Sequence, residues 1–409
     1  MTERGTSGLT AQERSLCERI AERRDALLDD LRLHVETPTG GFNWVAIDET
    51  RDRFRDRLEK LGAKTTLVPG DSKPEWLGGA TGDQVPPTAV CDRSERHGLK
   101  RVLIAGHLDT VHDPEGSFRE LSIAPDGKTA TGPGCVDMKG GLVIAVAALE
   151  ALEDCGINAS WAFSLNADEE TGTYHSERAL REAAKAYDFG IALEPALAGG
   201  ELAVERVGSG QFMVECFGKS AHVGRAFAEG VSAVTTLAEC LVELSQTPEP
   251  ERGKILSIGP LSGGNATNAV PDHAAAWGNV RFRDAMVERE LAEAIDRLAT
   301  DAGAMPRVDV HRSFNRPAKP LIPETESLAL AARAVAEDLG QSLPFAATGG
   351  VCDGNILQDA GLPTIDTLGV RGGGLHTPDE WIELDSLVER CQLLAVLVAR
   401  LCRHGTDKE

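Results

Sequence analysis

Five short stretches hold acids and histidines of the kind that carry metal chemistry. His107 and Asp109 stand late in the apolar run KRVLIAGHLDTV, and Asp137 sits in the Gly-flanked turn GPGCVDMKGG. Glu169 and Glu170 close WAFSLNADEETG, Glu194 closes FGIALEP, and His376 follows the Gly-rich run GVRGGG. In open α/β sheets ligands bind just beyond the carboxyl ends of the strands, where these residues fall. Taken singly, a His at a strand end is usually a hydrogen-bonded surface group, and a Glu-Glu pair is usually solvated. Taken together they are harder to dismiss, because converging carboxylates cannot all stay ionised unless cations neutralise them. His with Asp and Glu is a ligand set for zinc, at about 2.0 to 2.2 Å per bond. With no Cys-x-x-Cys spacing in the chain, the site reads as catalytic and not structural.

The number of ligands suggests two metals. A carboxylate can bridge ions roughly 3.5 to 4 Å apart, the spacing of two-metal hydrolases. Asp137 is the candidate bridge, since its glycine neighbours let backbone approach closely. Asp109, two residues beyond His107 on extended chain, points the same way and is placed to orient that imidazole. The side chains of Glu169 and Glu170 diverge, so one can bind metal while the other acts as base.

The elements that must position these groups follow from periodicity. Leu16, Ile20, Leu27, Leu28 and Leu31 recur at helical spacing, which predicts one amphipathic helix from Ala11 to about Glu36; a second runs from about Ile47 to Leu61 and stops at Gly62. KRVLIAGHLDTV, WAFSLNADEETG, FGIALEP and PTIDTLGV read as strands, and GGLVIAVAALEAL as a buried helix. The middle reads differently: strand QFMVECFG, helix 233–245, strands ILSIGPLSGG and AAAWGNVRFR, helix 288–302 and strand RVDVHRSF suit an antiparallel sheet with helices on one face. The last helix runs from Leu384 to about Cys402, and 69–87 reads as an irregular loop. The expectation is an α/β catalytic domain with a mostly parallel sheet flanked by helices (1–205 and 318–409), interrupted by a smaller α+β domain (206–317).

Composition narrows the function classes. The 64 Asp and Glu against 42 Lys and Arg give a formal net charge of -22, which argues against nucleic acid or an anionic membrane as partner. Nine cysteines without paired spacing read as reduced thiols. MTERGTSGLTAQERSLCERI has no apolar signal core, so the expected location is the cytoplasm. No G-x-G-x-x-G follows the first strand of the sheet, and neither a G-x-S-x-G elbow nor a P-loop is present.

GHLDTV, GPGCVDMKGG, NADEETG, LEP, GKSAHVG, GGNATNAVP, TGGVCDG and GGGLHTPDE occur in that order. The set resembles the dizinc peptidases and deacylases that include glutamate carboxypeptidase, acetylornithine deacetylase and succinyl-diaminopimelate desuccinylase. The resemblance runs from about Lys100 to the C-terminus. It implies two Zn(2+) per subunit, with Co(2+) or Mn(2+) able to substitute, bridged by Asp137. His107 and Glu194 would hold one ion, Glu170 and His376 the other, and Glu169 would be the general base, moving a proton from water to the leaving nitrogen. It also implies that the inserted domain is a lid and dimerisation domain whose His222 donates to the oxyanion, usually across a homodimer. Two departures are small: Pro195 is followed by Ala196 where these enzymes often have Thr, and Cys135 precedes the bridge.

Arg281 in NVRFRD, Asn268 in NATNAVP and Arg316 in FNRPAKP match positions that receive a substrate carboxylate in these relatives. A guanidinium binds a carboxylate through two parallel hydrogen bonds, so Arg281 predicts a small-molecule substrate with a free carboxylate next to the cleaved amide. Gly349 and Gly350 would let backbone approach that substrate. A glutamate-type carboxypeptidase is the favoured reading. An N-acyl-amino-acid deacylase is the alternative, and a non-hydrolytic metal-binding protein is disfavoured by the presence of a base. A strongly acidic protein repels an anionic substrate at long range. KM for a carboxylate substrate is therefore expected to fall as added salt screens that repulsion; a KM climbing steadily with ionic strength in initial-rate assays would contradict it.

Overall fold

Gly140–Asp154 forms a helix in which every residue from Gly140 to Leu149 is buried. A helix apolar all round needs cover on every side. In the computed structural model, which describes residues 8–78, 82–94 and 98–406, that cover comes from strand Val102–His107 beneath it and from helices Ala11–Ala21, Arg24–Val35 and Asp385–His404 around it. The first two of these helices correct the expectation of one helix over 11–36. The chain breaks at Glu22 and Arg23, while Leu16, Ile20, Leu27 and Leu31 all enter the same core. Because the apolar phase carries through the break, periodicity alone does not report it. Helix Trp44–Lys60 closes the N-terminal group, and no helix among the described residues is long and apolar enough to cross a membrane.

The main sheet runs Lys64–Val68, Thr88–Arg93, Trp161–Asn166, Val102–His107, Phe189–Ala192 and Thr364–Ile365. The last four are parallel neighbours, whereas the first two join antiparallel at one edge. Register sets the site: His107 pairs with Asn166, and Ala105 with Ala192. The three central strands thus end level, bringing His107, Glu169, Glu170 and Glu194 to one sheet edge. A second, antiparallel sheet absent from the sequence reading joins Gly372–Gly373, Trp381–Glu383, Thr129–Thr131 and Ser122–Ile123. It clamps the segment carrying His376 onto the strand that leads into Asp137.

The inserted sheet orders Lys254–Gly263, His273–Phe282, Gly208–Phe217 and Arg307–Arg316, all antiparallel. Alternation sends Phe212, Val214, Ala274, Ala276 and Val308 into a separate core with helices Ala233–Leu244 and Ala285–Asp296. Ser209, Gln211, Glu215 and Arg281 point from the other face. The chain enters and leaves this unit side by side, with Arg206 and Lys319 bridged by reciprocal backbone hydrogen bonds at 2.9 Å each.

Close packing at the helix start has a testable consequence. A Cβ on Gly141 would lie 2.5 Å from the carbonyl oxygen of Leu193, next to Glu194. Gly141→Ala should destabilise the fold by about 1–3 kcal/mol in urea unfolding; unchanged stability would show that this contact relaxes freely.

Candidate active site

Asp137 lies in a buried turn, 135–139, whose entry residue Gly134 has φ +68 and where a Cβ would meet Thr110 Cγ2 at 2.6 Å. The two carboxylate oxygens of Asp137 face opposite ways. Oδ1 is 3.4 Å from His107 Nε2, and Glu194 Oε1 lies 4.0 Å from the same nitrogen. Oδ2 is 3.5 Å from His376 Nε2, which is 3.4 Å from Glu170 Oε2. Ligand atoms of His107, Asp137 and Glu170 all lie within 4.8 Å of one another. The cluster that the sequence anticipated therefore assembles, as two His-Glu pairs on either side of one aspartate. His376 takes φ +62, a left-handed conformation uncommon for non-glycine residues, as do Phe42, Thr173 and Thr367.

The imidazole of His107 is oriented from behind. Its Nδ1 is 3.0 Å from the backbone oxygen of Asp109, a geometry in which Nδ1–H donates and the lone pair lies on Nε2. Asp109 was expected to do this through its carboxylate, which lies 3.4 Å away. That carboxylate also accepts the backbone N–H groups of Glu169 at 3.2 Å and Glu170 at 2.9 Å, fixing these two residues together. His107 Nε2 and Asp137 Oδ1 are buried and have no hydrogen-bond partner. Two facing, unsatisfied lone pairs cost free energy unless a cation lies between them.

Electrostatics point the same way. Burial pushes Glu170 up to about 7, with the charge of Asp137 adding to it, and pushes Glu194 well above the ordinary carboxylate range. Hydrogen bonds to Asp137 and Glu170 raise His376 to about 10. His107 is raised although burial opposes its charged form, because the carboxylates of Asp109 and Asp137, each 3.4 Å away, and of Glu194 favour a protonated imidazole. Protein groups alone balance this cluster only by collecting protons, and divalent cations meet the same demand.

Glu169 is next in chain to Glu170, and Arg316 lies against it. Read as a receiver of substrate carboxylate, Arg316 is buried and donates to Glu169 Oε1 at 2.5 Å, to the Glu169 backbone oxygen at 2.6 Å and to the Thr173 hydroxyl. A buried guanidinium requires a buried anion, and Glu169 is the one in reach. Arg281 is half-buried and donates to the side-chain oxygens of Ser209 and Asn279, the latter at 2.6 Å; it has no carboxylate partner in the structure's ion pairs among the described residues. Gly349 and Gly350 are exposed, with nothing within 4 Å of a Cβ at Gly349. His222 and Asn268 are also exposed, His222 on the segment Ala221–His222 that pairs with Ala269–Val270 and Asn268 just before the latter, where its backbone oxygen accepts Val223 N–H at 3.1 Å; His222 Nδ1 accepts from Gly224 N–H at 3.1 Å. No hydrogen bond or ion pair among the described residues joins either to the cluster. Glu380, four residues beyond His376, was given no role from sequence, yet it is fully buried against the Asp137 turn; its place inside the last quoted motif was the only signal.

Residues 103–400 match the peptidase family M20/M25/M40. The chain belongs to this family. It is 24% identical over 403 residues to carboxypeptidase G2 of Pseudomonas sp. (strain RS-16), covering 97% of this chain and 94% of that one. It is 31% identical over 312 residues to a succinyl-diaminopimelate desuccinylase of Methylobacterium radiotolerans, covering 70% and 77%. Among solved structures it resembles the YxeP protein of Bacillus subtilis, a dinuclear metal-binding peptidase of the M20 family. The TM-score is 0.65 at 17% identity, over 93% of this chain and 99% of that one. The chain is thus an M20 hydrolase acting on amide bonds, in a family that is metal-dependent.

If the cluster holds metal, zinc should raise the melting temperature of the chelator-stripped protein, since an ion that binds only the folded state stabilises it. Asp137→Ala, which removes the shared ligand, should abolish most of that rise in a thermal scan; an undiminished rise would place the metal elsewhere.

Proposed function

We propose that this M20 enzyme hydrolyses an amide bond next to a free carboxylate, as a glutamate-type carboxypeptidase, with two metal ions held by His107, Glu194, Glu170 and His376 and shared by Asp137. The observation that carries the hydrolytic reading is an aspartate that divides its oxygens between two His-Glu pairs, with Glu169 next in chain to Glu170 and its charge acting on the glutamates of both pairs. Bound there, Zn(2+), or Co(2+) or Mn(2+) in its place, supplies Lewis acidity to polarise the amide carbonyl and to acidify a water. The protein's own groups do the rest. Arg316 occupies Glu169 Oε1, which leaves Oε2 as the atom that takes the proton from water and returns it to the departing nitrogen. Asp109 keeps that carboxylate and the neighbouring ligand in register through their backbone amides.

Arg281 supports the carboxylate side of the reading. It lies on the face of the inserted sheet opposite the helices, on the strand next to the one that delivers Ser209, and its bonds go to neutral oxygens. The near full-length match to carboxypeptidase G2 favours a peptidase over the deacylase alternative drawn from the shorter match to the desuccinylase. The inserted unit also carries an exposed sheet edge, Lys254–Gly263, with Leu261 67% exposed, and beside it Val242 on helix Ala233–Leu244, 66% exposed. We assign this edge to a second copy in a cytoplasmic homodimer, with His222 and Asn268 reaching the partner's site; their exposure and their separation from this chain's own cluster support that arrangement.

Glutamyl dipeptides and N-acyl amino acids, assayed side by side with metal-loaded enzyme, test the proposal. Amino acid should be released from the peptides, and Glu169→Gln should lower kcat by about 10²–10⁴ while both metals stay bound. Release of acetate or succinate with no amino acid from peptides would shift the assignment to the deacylases.

A further inference from the structure

The carboxylate of Glu380 makes more hydrogen bonds than any ligand in the site it supports. Oε1 accepts the backbone N–H of Val136 at 2.9 Å and of Asp137 at 3.0 Å. Oε2 accepts the backbone N–H of Gly134 at 2.9 Å and faces His112 Nε2 at 2.6 Å. Its backbone oxygen accepts Gly132 N–H at 3.1 Å and the Cys135 thiol at 3.7 Å. The turn that carries Asp137 is therefore wound around one side chain that has no solvent exposure.

Two features set this apart from ordinary loop support. First, Glu380 belongs to the same short segment as His376: Thr377 N–H donates to Gly374 O and Glu380 N–H to Thr377 O, both at 3.2 Å, and the next residues pair as a strand with Thr129–Thr131. One residue thus joins the segment of one histidine ligand to the residue that both His-Glu pairs share. Second, the bond to Asp137 N–H acts on the backbone of a ligand whose oxygens stand at nearly equal distances, 3.4 and 3.5 Å, from His107 and His376. A small displacement of that backbone lengthens one distance as it shortens the other. Fixed backbone donors around a carboxylate give a stiff, directional anchor, because charge-assisted bonds are short and strong.

We propose that Glu380, backed by His112, is a positioning residue for the metal centre: its carboxylate sets the place of Asp137 between the two ligand pairs and ties it to the His376 segment. This rests on reading the cluster as a two-metal site. The groups that orient metal ligands from behind typically contribute 10–100-fold to metal affinity.

Glu380→Gln keeps the shape but presents an NH₂ to amides that need an acceptor. In competition titrations against a chromophoric chelator, folded Glu380→Gln should bind zinc about 10–100-fold more weakly than wild type, with kcat reduced more than KM. His112→Ala, which removes a single donor to the same carboxylate, should weaken zinc binding in the same direction and by less. A purely structural role predicts a lower melting temperature of the metal-free protein with wild-type zinc affinity, and that result in folded Glu380→Gln would overturn the proposal. Should Glu380→Gln not fold, wild-type zinc affinity in His112→Ala would overturn it equally. The wild-type titration keeps the two readings apart: a wild type that takes up no zinc sinks the metal centre itself, whereas a two-zinc wild type matched by its variants sinks only the role of Glu380.

Discussion

The arrangement of this protein follows from the demand that one carboxylate serve two sides at once. Asp137 has His107 3.4 Å from one oxygen and His376 3.5 Å from the other, each with a glutamate next to it. Such a group cannot be carried on a flexible loop, because its value lies in the difference between two short distances. Nor is it tolerable as protein alone, since burial and mutual repulsion drive Glu170 and Glu194 toward their protonated forms. The site needs stiffness and cations together.

Stiffness comes from three places in the fold. Parallel strands ending level put His107 and the Glu169–Glu170 pair on one edge without any long connection. The helix that starts at Gly140 is packed so closely against Leu193 that the strand end before Glu194 cannot drift from the turn before the helix. The small antiparallel sheet then brings in His376 from more than two hundred residues away in sequence, and pins it to the strand that leads into Asp137. Backbone hydrogen bonds and close packing thus hold ligands that arrive from widely separated parts of the chain.

Much of this was legible from residue types and order. The central strands, the buried helix and the antiparallel sheet of the middle segment stand where periodicity puts them, and His107, Asp137, Glu170, Glu194 and His376 come together. What was not legible shares one cause: local signals do not report how a side chain is shared out. Asp109 lies two residues past His107, as expected of an orienting group, but its backbone oxygen bonds to the imidazole and its carboxylate to amides in the turn after another strand. Arg316 has the residue type suited to a substrate carboxylate, yet the fold offers it a buried glutamate first. The break at Glu22 and Arg23 escaped because both helices keep the same apolar phase, and the small sheet escaped because strands of two or three residues leave no alternation to read.

The position of Arg316 changes how the inserted unit relates to the chemistry. It is the last residue of that unit's final strand and it holds Glu169, while Asn315 beside it donates to the backbone oxygen of Gly172 at 2.6 Å. Farther out, Trp277 Nε1 donates to the Trp76 backbone oxygen at 2.7 Å, and the loop carrying Trp76 is fixed to His175 and Thr171 through Asp71 and Lys73. At the crossing point, Asp366 pairs with Arg206 at 2.7 Å and Lys319 at 3.2 Å, and Asn355 donates to Val207 O and Pro317 O, so side chains of the larger unit grip both connecting strands. The contacts of Arg316, Asn315, Asp71 and Lys73 converge on the segment from Glu169 to His175. A buried ion pair thus links the inserted unit to Glu169, and it cannot be broken without leaving a buried charge uncompensated. The final strand of the smaller unit and the carboxylate of Glu169 are held by the same residue, Arg316.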